Sequence, residues 1–250
     1  MKSITEIFRA FAPEYLKRFP NLPEQHRKVI EAILDCRSGE YGSVIYQCSD
    51  CDAIHIVPRS CGDRHCPQCQ YGKSQQWLQK QLLKQVPGHH FMITFTVPEE
   101  LRVFFRKNQK VAYAALFKAG SEALKTLAKD KRFVGTDLPG FTGVLHTWGR
   151  LLQYHPHIHY IVVGGGLSKD RNEWIPSRKD LFVHTKPLMK IFRAVFRREM
   201  EKAGLKNQLP SFVWNLNWIV GSQAVGSPTA TINYLAPYVF RVAISNSRII

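Results

Sequence analysis

His157-Ile158-His159 places two imidazoles two residues apart inside the apolar run YHPHIHYIVVGGGL, Tyr154 to Leu167. A strand repeats every two residues, so both rings leave one face while Ile158 points into the core. Two neutral imidazoles on one rigid strand are half of a divalent-metal site, and a buried ring nitrogen needs a partner of some kind. On spacing alone, two solvent-facing histidines on an edge strand fit equally well. His146 lies eleven residues before His157, on what reads as the preceding strand. A hairpin would bring its ring beside the other two, and three imidazoles leave coordination positions open for a substrate oxygen. His155 and His184 are weaker competitors for the same role.

A second chemistry lies nearer the N-terminus. All six cysteines fall between Cys36 and Cys69. The Cys-x2-Cys pairs Cys48/Cys51 and Cys66/Cys69 are fourteen residues apart, which suits a tetrahedral four-cysteine zinc ribbon. Cys36, Cys61, His55 and His65 are then left over. They are enough for a second zinc, against the plainer reading of free thiols and surface histidines. Near the other end Tyr234 and Tyr238 are four apart, hence on one helical face, with Arg241 three further on. Alone such a pair is ordinary core; beside a histidine metal site on a basic chain it means more.

Composition narrows the partner. Lys and Arg number 35 against 19 Asp and Glu, a net charge of +16, which favours nucleic acid first and an acidic membrane surface second. Hydrophobic residues at 44% are too many for a disordered chain. No apolar run approaches the ~18 residues of a membrane span. The opening MKSITEIFRAFAPEYLKRF has acids and no long apolar core, unlike a signal peptide. The cytoplasm is the expected compartment, where thiolates bind metal rather than pair.

The elements that must position these groups follow from periodicity. Ile4–Phe19 and Pro23–Leu34 read as helices, Ser43–Tyr46 and Ala53–Val57 as short strands, and Tyr71–Val86 as a helix carrying Lys73, Lys80, Lys84 and Trp77. Pro87-Gly88 reads as a hinge, giving a zinc-binding domain over 1–87 and a second domain over 88–250. There His90–Val97, Phe141–Trp148, His155–Val163 and Phe212–Val220 read as strands. Pro98–Lys131, Lys186–Ala203 and Thr229–Val242 read as helices. The fold class is therefore α+β, a four- or five-stranded antiparallel sheet with helices on one side. Arg178 to Lys206 holds nine Lys/Arg against three acids. A solvated helix face accounts for part of that; with Phe182, Phe192 and Trp214 it also suits a groove for single-stranded nucleic acid.

The Cys-rich head ending SCGDRHCPQCQ, the stretch HTWGRLLQYHPHIHYIVVGGGL and the terminal YLAPYVFRVAISNSRI resemble the IS91-like rolling-circle transposases, the two-tyrosine group of HUH single-strand endonucleases. The resemblance covers nearly the whole chain. It implies a ferredoxin-like catalytic core, an N-terminal zinc-binding domain, and cleavage of single-stranded DNA at transposon ends. It further implies Mg²⁺ or Mn²⁺ on His157 and His159, and nucleophiles at Tyr234 and Tyr238 that form a 5′-phosphotyrosine. His146 as third ligand rests on spacing shared with relaxases. Lys73, Lys80, Lys84, Arg193, Arg197 and Arg241 are candidate phosphate contacts.

Two departures stand out. The family continues well beyond the position of Ile250, and Pro237 stands where it usually has a basic residue. An inactive, truncated remnant that only binds DNA is the rival reading; a plasmid relaxase or replication initiator is a closer one. Inside a helix a proline removes one hydrogen bond and clashes with the carbonyl of Asn233, costing ~3 kcal/mol. Either the helix begins at Pro237, leaving Tyr234 on the preceding loop, or it kinks there. In both cases Tyr238 is expected to approach the metal better.

Overall fold

The computed structural model describes residues 3–149 and 151–239, with the backbone alone at 230, 234, 237 and 238. The described chain forms two compact units, one of residues 3–80 with 236–239, the other running from 81 to 235.

The first unit opens with α1 (Ile4–Arg18) and α2 (Glu24–Asp35). Ser3 caps α1, its Oγ accepting the Glu6 N–H at 3.2 Å, and Lys17 and Arg18 sit in the last turn. Both features stabilise helix ends by satisfying or opposing the exposed backbone dipoles. A hairpin follows, β1 (Ser43–Gln47) against β2 (Ile54–Pro58), and then α3 (Pro67–Leu82). The helix expected over Tyr71–Val86 thus starts and stops four residues early. Pro67 is the reason for the early start, since its fixed φ suits a first helical turn. That turn contains Cys69 of the second Cys-x2-Cys pair, and Cys66 directly precedes it.

The second unit contains β3 (His90–Thr96), α4 (Arg102–Lys107), α5 (Gln109–Ala128), β4 (Leu138–Trp148), β5 (Tyr154–Leu167), β6 (Trp174–Pro176), α6 (Thr185–Lys202) and β7 (Ile219–Gly226); α7 (Pro228–Val239) follows. The sheet order is β4-β5-β3-β7 with β6 on the far part of β5, and every pairing is antiparallel. Leaving β6 aside, the chain runs strand, helices, strand, strand, helix, strand, with its first and third strands in the middle. That is the ferredoxin-like split-βαβ order.

The apolar face of this sheet, with Phe95, Ile158, Tyr160 and Val162, is sealed by Leu116, Ala119 and Leu124 of α5 and Phe192 and Phe196 of α6. Leu188, Phe192, Phe196 and Met200 recur every four residues on α6 and are all buried. Phe182 and Phe192 are fully buried, which corrects the expectation that they line a nucleic-acid groove. The amphipathic period of α6 buries Phe192, and both rings gain from the area they remove from water.

A second correction concerns the last strand. Phe212–Val220 is not a strand: Ser211–Trp214 forms a single 3-10 turn and the strand is Ile219–Gly226. Val213 and Trp218 are buried, and the Trp218 indole N–H donates to the Val213 carbonyl at 2.9 Å. Apolar residues there serve a packed loop. The mostly exposed β7 is a strand because its backbone pairs with β3. The long helix expected over Pro98–Lys131 breaks at Asn108, whose φ of −122° and ψ of 40° end α4.

Tyr160 is fixed in the middle of this core. Its hydroxyl donates to the Phe117 carbonyl at 2.7 Å, and Phe95 and Phe141 meet the ring edge-on. A Cβ added at Gly143 of β4 would fall 2.7 Å from that ring, as would one at Gly120 of α5. Gly143→Ala is therefore expected to cost ~1–3 kcal/mol, because the ring has nowhere to retreat. The check is urea unfolding, in which the midpoint falls at unchanged slope.

Candidate metal centres and nucleic-acid interface

The register of β5 builds the histidine site. His146 of β4 lies directly opposite His157, while on the other side β3 places Thr94 opposite His159 and Thr96 opposite His157. Because a strand's side chains alternate, these residues share the face opposite Ile158 and Tyr160. The ring centroids of His146 and His157 are 4.6 Å apart, and those of His157 and His159 4.8 Å. One nitrogen from each of the three rings lies within 4.8 Å of the others. The expected triad is thus brought together.

Hydrogen bonds on the outer nitrogens set the tautomers. His157 Nδ1 donates to the His155 carbonyl at 2.6 Å, leaving the Nε2 lone pair free. Thr94 Oγ1 is 2.9 Å from His159 Nδ1, and His159 Nε2 is buried with no hydrogen-bond partner. A buried ring nitrogen with no hydrogen-bond partner, beside two further ring nitrogens, fits a divalent cation. Thr94 escaped the reading of the sequence. Its signal was the alternation in HFMITFT, which puts Thr94 and Thr96 on the histidine face once β3 pairs with β5.

Burial pushes the histidines toward neutrality. His157 is held down at about 4, by desolvation first, with the His155 charge adding to it and the bond to the His155 carbonyl opposing it. His159 falls to about 3, again from desolvation, then from the neighbouring His157 and His146. Both folded values lie below the unfolded ~6.5, so below that pH the unfolded chain binds more protons and stability falls. The loss begins near pH 6.5 and grows until the folded rings titrate, His157 at about 4 and His159 at about 3, at up to ~1.4 kcal/mol per pH unit for each ring. Urea midpoints of zinc-loaded protein without added Mg²⁺ or Mn²⁺ should drop from pH 7 to pH 5. The drop should be smaller in His159→Gln.

The competitors are placed elsewhere. His155 Nδ1 accepts from Arg102 at 3.1 Å, and Arg102 also pairs with Glu99. His184 is the N-cap residue of α6, its ring edge-on to Phe133.

The cysteines are gathered differently from the expectation. Cys36 at the end of α2, Cys61 after β2, and Cys66 and Cys69 at the start of α3 form one cluster, all four sulfurs within 4.8 Å of one another. The Cys69 sulfur is 3.6 Å from that of Cys36 and 3.5 Å from that of Cys61. Four thiolates ~2.3 Å from one zinc stand ~3.8 Å apart, so the cluster has the right size for Zn²⁺. Cys48 and Cys51 are exposed at the turn between β1 and β2, outside the cluster. Exposed His55 and His65 belong to no metal-sized group among the described residues. The hairpin is the reason: it carries the first Cys-x2-Cys pair outward, while the helix ends bring Cys36 and Cys61 in.

Burial raises Cys61 above the ordinary thiol range and Cys66 to about 11. Cys69 is lowered despite its burial, because hydrogen bonds from Cys61 and Cys36 favour its thiolate. Buried Gln70 donates from Nε2 to the Asp63 carbonyl at 2.9 Å, tying the Cys61–Cys66 loop to α3.

The backbone of α7 is helical from Pro228 through Val239, so the helix does not begin at Pro237. Pro228 occupies its first turn and Ser227 Oγ accepts the Thr229 N–H. The side chains of Tyr234, Pro237 and Tyr238, and Arg241 as a whole, lie outside the described residues, as does the expected ranking of the two tyrosines. Lys73, Lys80 and Lys84 are exposed. Arg193 donates to the Leu216 carbonyl at 2.7 Å, and Arg197 lies over Trp214 and pairs with Glu201 at 3.5 Å. These two arginines anchor the segment after α6.

Comparison with known proteins adds the following. Residues 7–97 match a family described as "Transposase zinc-binding domain", and residues 140–250 one described as "Putative transposase". The chain is 34% identical to "Putative transposase y4qJ" of Sinorhizobium fredii, over 99% of this chain and 67% of that protein. It is 26% identical to "Transposase for insertion sequence element IS801" of Pseudomonas savastanoi pv. phaseolicola, over 89% of this chain and 57% of that protein. The chain therefore spans about two thirds of the first relative and just over half of the second. No solved structure gives a significant match. No helix among the described residues is long and apolar enough to cross a membrane.

Proposed function

This chain belongs to the IS91/IS801-type transposases, and from that premise we propose that it cuts and rejoins single-stranded DNA through a tyrosine–phosphate link, as rolling-circle transposition requires. The observation that carries the reading is the His146/His157/His159 group, three ring nitrogens on adjacent strands, of which the buried His159 Nε2 has no hydrogen-bond partner. These three residues would hold a divalent cation, which would supply polarisation of the scissile phosphate. The ion proposed for these three imidazoles is Mg²⁺ or Mn²⁺, with open positions left for substrate oxygen.

The side chains of Tyr234 and Tyr238 are the candidate nucleophiles. The tyrosine oxygen bonds to phosphorus, the bond from phosphorus to the 3′ oxygen breaks, and the proton lost by tyrosine is balanced by the one gained at the 3′-OH. Phosphodiester energy stays in the link, so rejoining needs no ATP. A second tyrosine permits a second cut before the first link is resolved. Lys73, Lys80 and Lys84 supply phosphate contacts that position the strand without reading its sequence. The four-cysteine cluster holds a structural zinc, and the cytoplasm is the compartment where its thiolates stay reduced.

The test uses single-stranded oligonucleotide labelled at its 3′ end, incubated with the protein and Mn²⁺. The label should migrate with the protein through SDS, and the 5′ label should not. Tyr234→Phe and Tyr238→Phe then assign the nucleophile. Salt-sensitive retention of DNA with no SDS-resistant band would instead show a DNA-binding remnant.

A further inference from the structure

Cys48 and Cys51 remain unused by the four-cysteine cluster, yet they are folded as a metal half-site. At the turn between β1 and β2 the Cys48 N–H donates to the Ala53 carbonyl at 3.0 Å, and the Asp52 N–H to the Cys48 carbonyl at 3.1 Å. Asp52 takes a left-handed φ of 57° to close the turn. The turn thus presents a Cys-x2-Cys pair of the same spacing as the one at the start of α3 in the closed cluster.

Two thiolates do not complete a zinc site, which takes four ligands. Among the described residues no third His, Cys, Asp or Glu forms a metal-sized group with Cys48 and Cys51. The flanking strands add an independent observation: Ile45 is 67% exposed, Ile54 67%, Ile56 59% and Tyr46 57%, with Ile45 paired across from Ile56. An apolar surface on a two-stranded hairpin is unstable in water and marks an interaction site.

We propose that two copies of this chain meet hairpin to hairpin and share one zinc ion, held by Cys48 and Cys51 of each. A two-fold axis through the ion doubles two ligands into four, which no single partner segment is shown to do. Val44 to Tyr46 and Ile54 to Val57 carry no Asp, Glu, Lys or Arg, so these strands of two chains of net charge +16 can meet without bringing like charges together, while Asp50 and Asp52 at the turn are exposed.

Native mass spectrometry with zinc analysis, on nuclease-treated protein in reductant, tests this. The expected particle is twice the 28.7 kDa chain with three zinc ions per pair, two in the closed clusters and one shared. The double variant Cys48→Ser/Cys51→Ser should be a single chain with one zinc, its closed cluster intact. Ile45→Ser/Ile56→Ser keeps the thiols and should weaken pairing by about tenfold or more through lost apolar burial. A single chain holding two zinc ions would mean that the turn closes with its own His55 or His65, and would overturn the proposal. A single chain with one zinc would do the same, as would pairing that survives the double cysteine variant. Loss of DNA affinity in that variant, with pairing and zinc unchanged, would reassign the hairpin to DNA.

Discussion

Replacing Cys66 by serine should remove the zinc of the closed cluster and unfold the N-terminal unit. The local core around the cluster consists of buried Ile33, Cys36 and Cys66, with Phe8, Val29, Cys61 and Cys69 half-buried against it. So small a core cannot offset the chain entropy of its unit, and metal binding is the term that does. Binding of structural zinc to small cysteine modules supplies ~10–16 kcal/mol at neutral pH, most of which depends on the full ligand set. Zinc content should fall by one ion per chain, and limited proteolysis should degrade the N-terminal unit while sparing the α+β unit. Cys36→Ser should behave alike. Cys48→Ser, at an exposed turn, should leave the closed cluster's ion in place and the unit resistant. The opposite ranking would restore Cys48 and Cys51 to the closed site.

The second large effect is expected at His159. His159→Ala removes a ring whose buried Nε2 has no hydrogen-bond partner, and with it one of the three proposed ligands of a divalent cation. Loss of ~4 kcal/mol of charge stabilisation on the scissile phosphate is on the order of 10³-fold in rate. Single-turnover formation of the covalent adduct should fall by about that factor. Equilibrium binding of the same oligonucleotide should change far less, because Lys and Arg contacts to phosphate carry it. Thr94→Val sits one step out: the His159 ring loses the hydroxyl at 2.9 Å that orients it, and Mn²⁺ affinity should drop ~10–100-fold. If binding, far-UV dichroism and adduct all fail together in His159→Ala, the histidines hold the sheet together and do not serve the chemistry.

Much of this was legible in the sequence, and the reason is period. His157 and His159 share a face because strands repeat every two residues, and His146 joins them because the connection to the next strand is too short for anything but a hairpin. The α+β order of elements followed from the same alternation. What the sequence left open was decided by register and by where the chain turns. Cys-x2-Cys spacing states that two thiols can share a metal; it does not state which two pairs meet. The β1–β2 hairpin sends Cys48 and Cys51 outward, and the ends of α2 and α3 bring Cys36 and Cys61 to Cys66 and Cys69.

The same holds for Phe212–Val220. Its aromatic residues have strand propensity, but Val213 and Trp218 stabilise the fold more as buried loop anchors, and the free edge of β3 recruits Ile219–Gly226 instead. Thr94 belongs beside His159 only because two strands 65 residues apart in sequence pair in one register. Local patterns set which side chains face together; the pairing of distant backbone sets which of those faces meet.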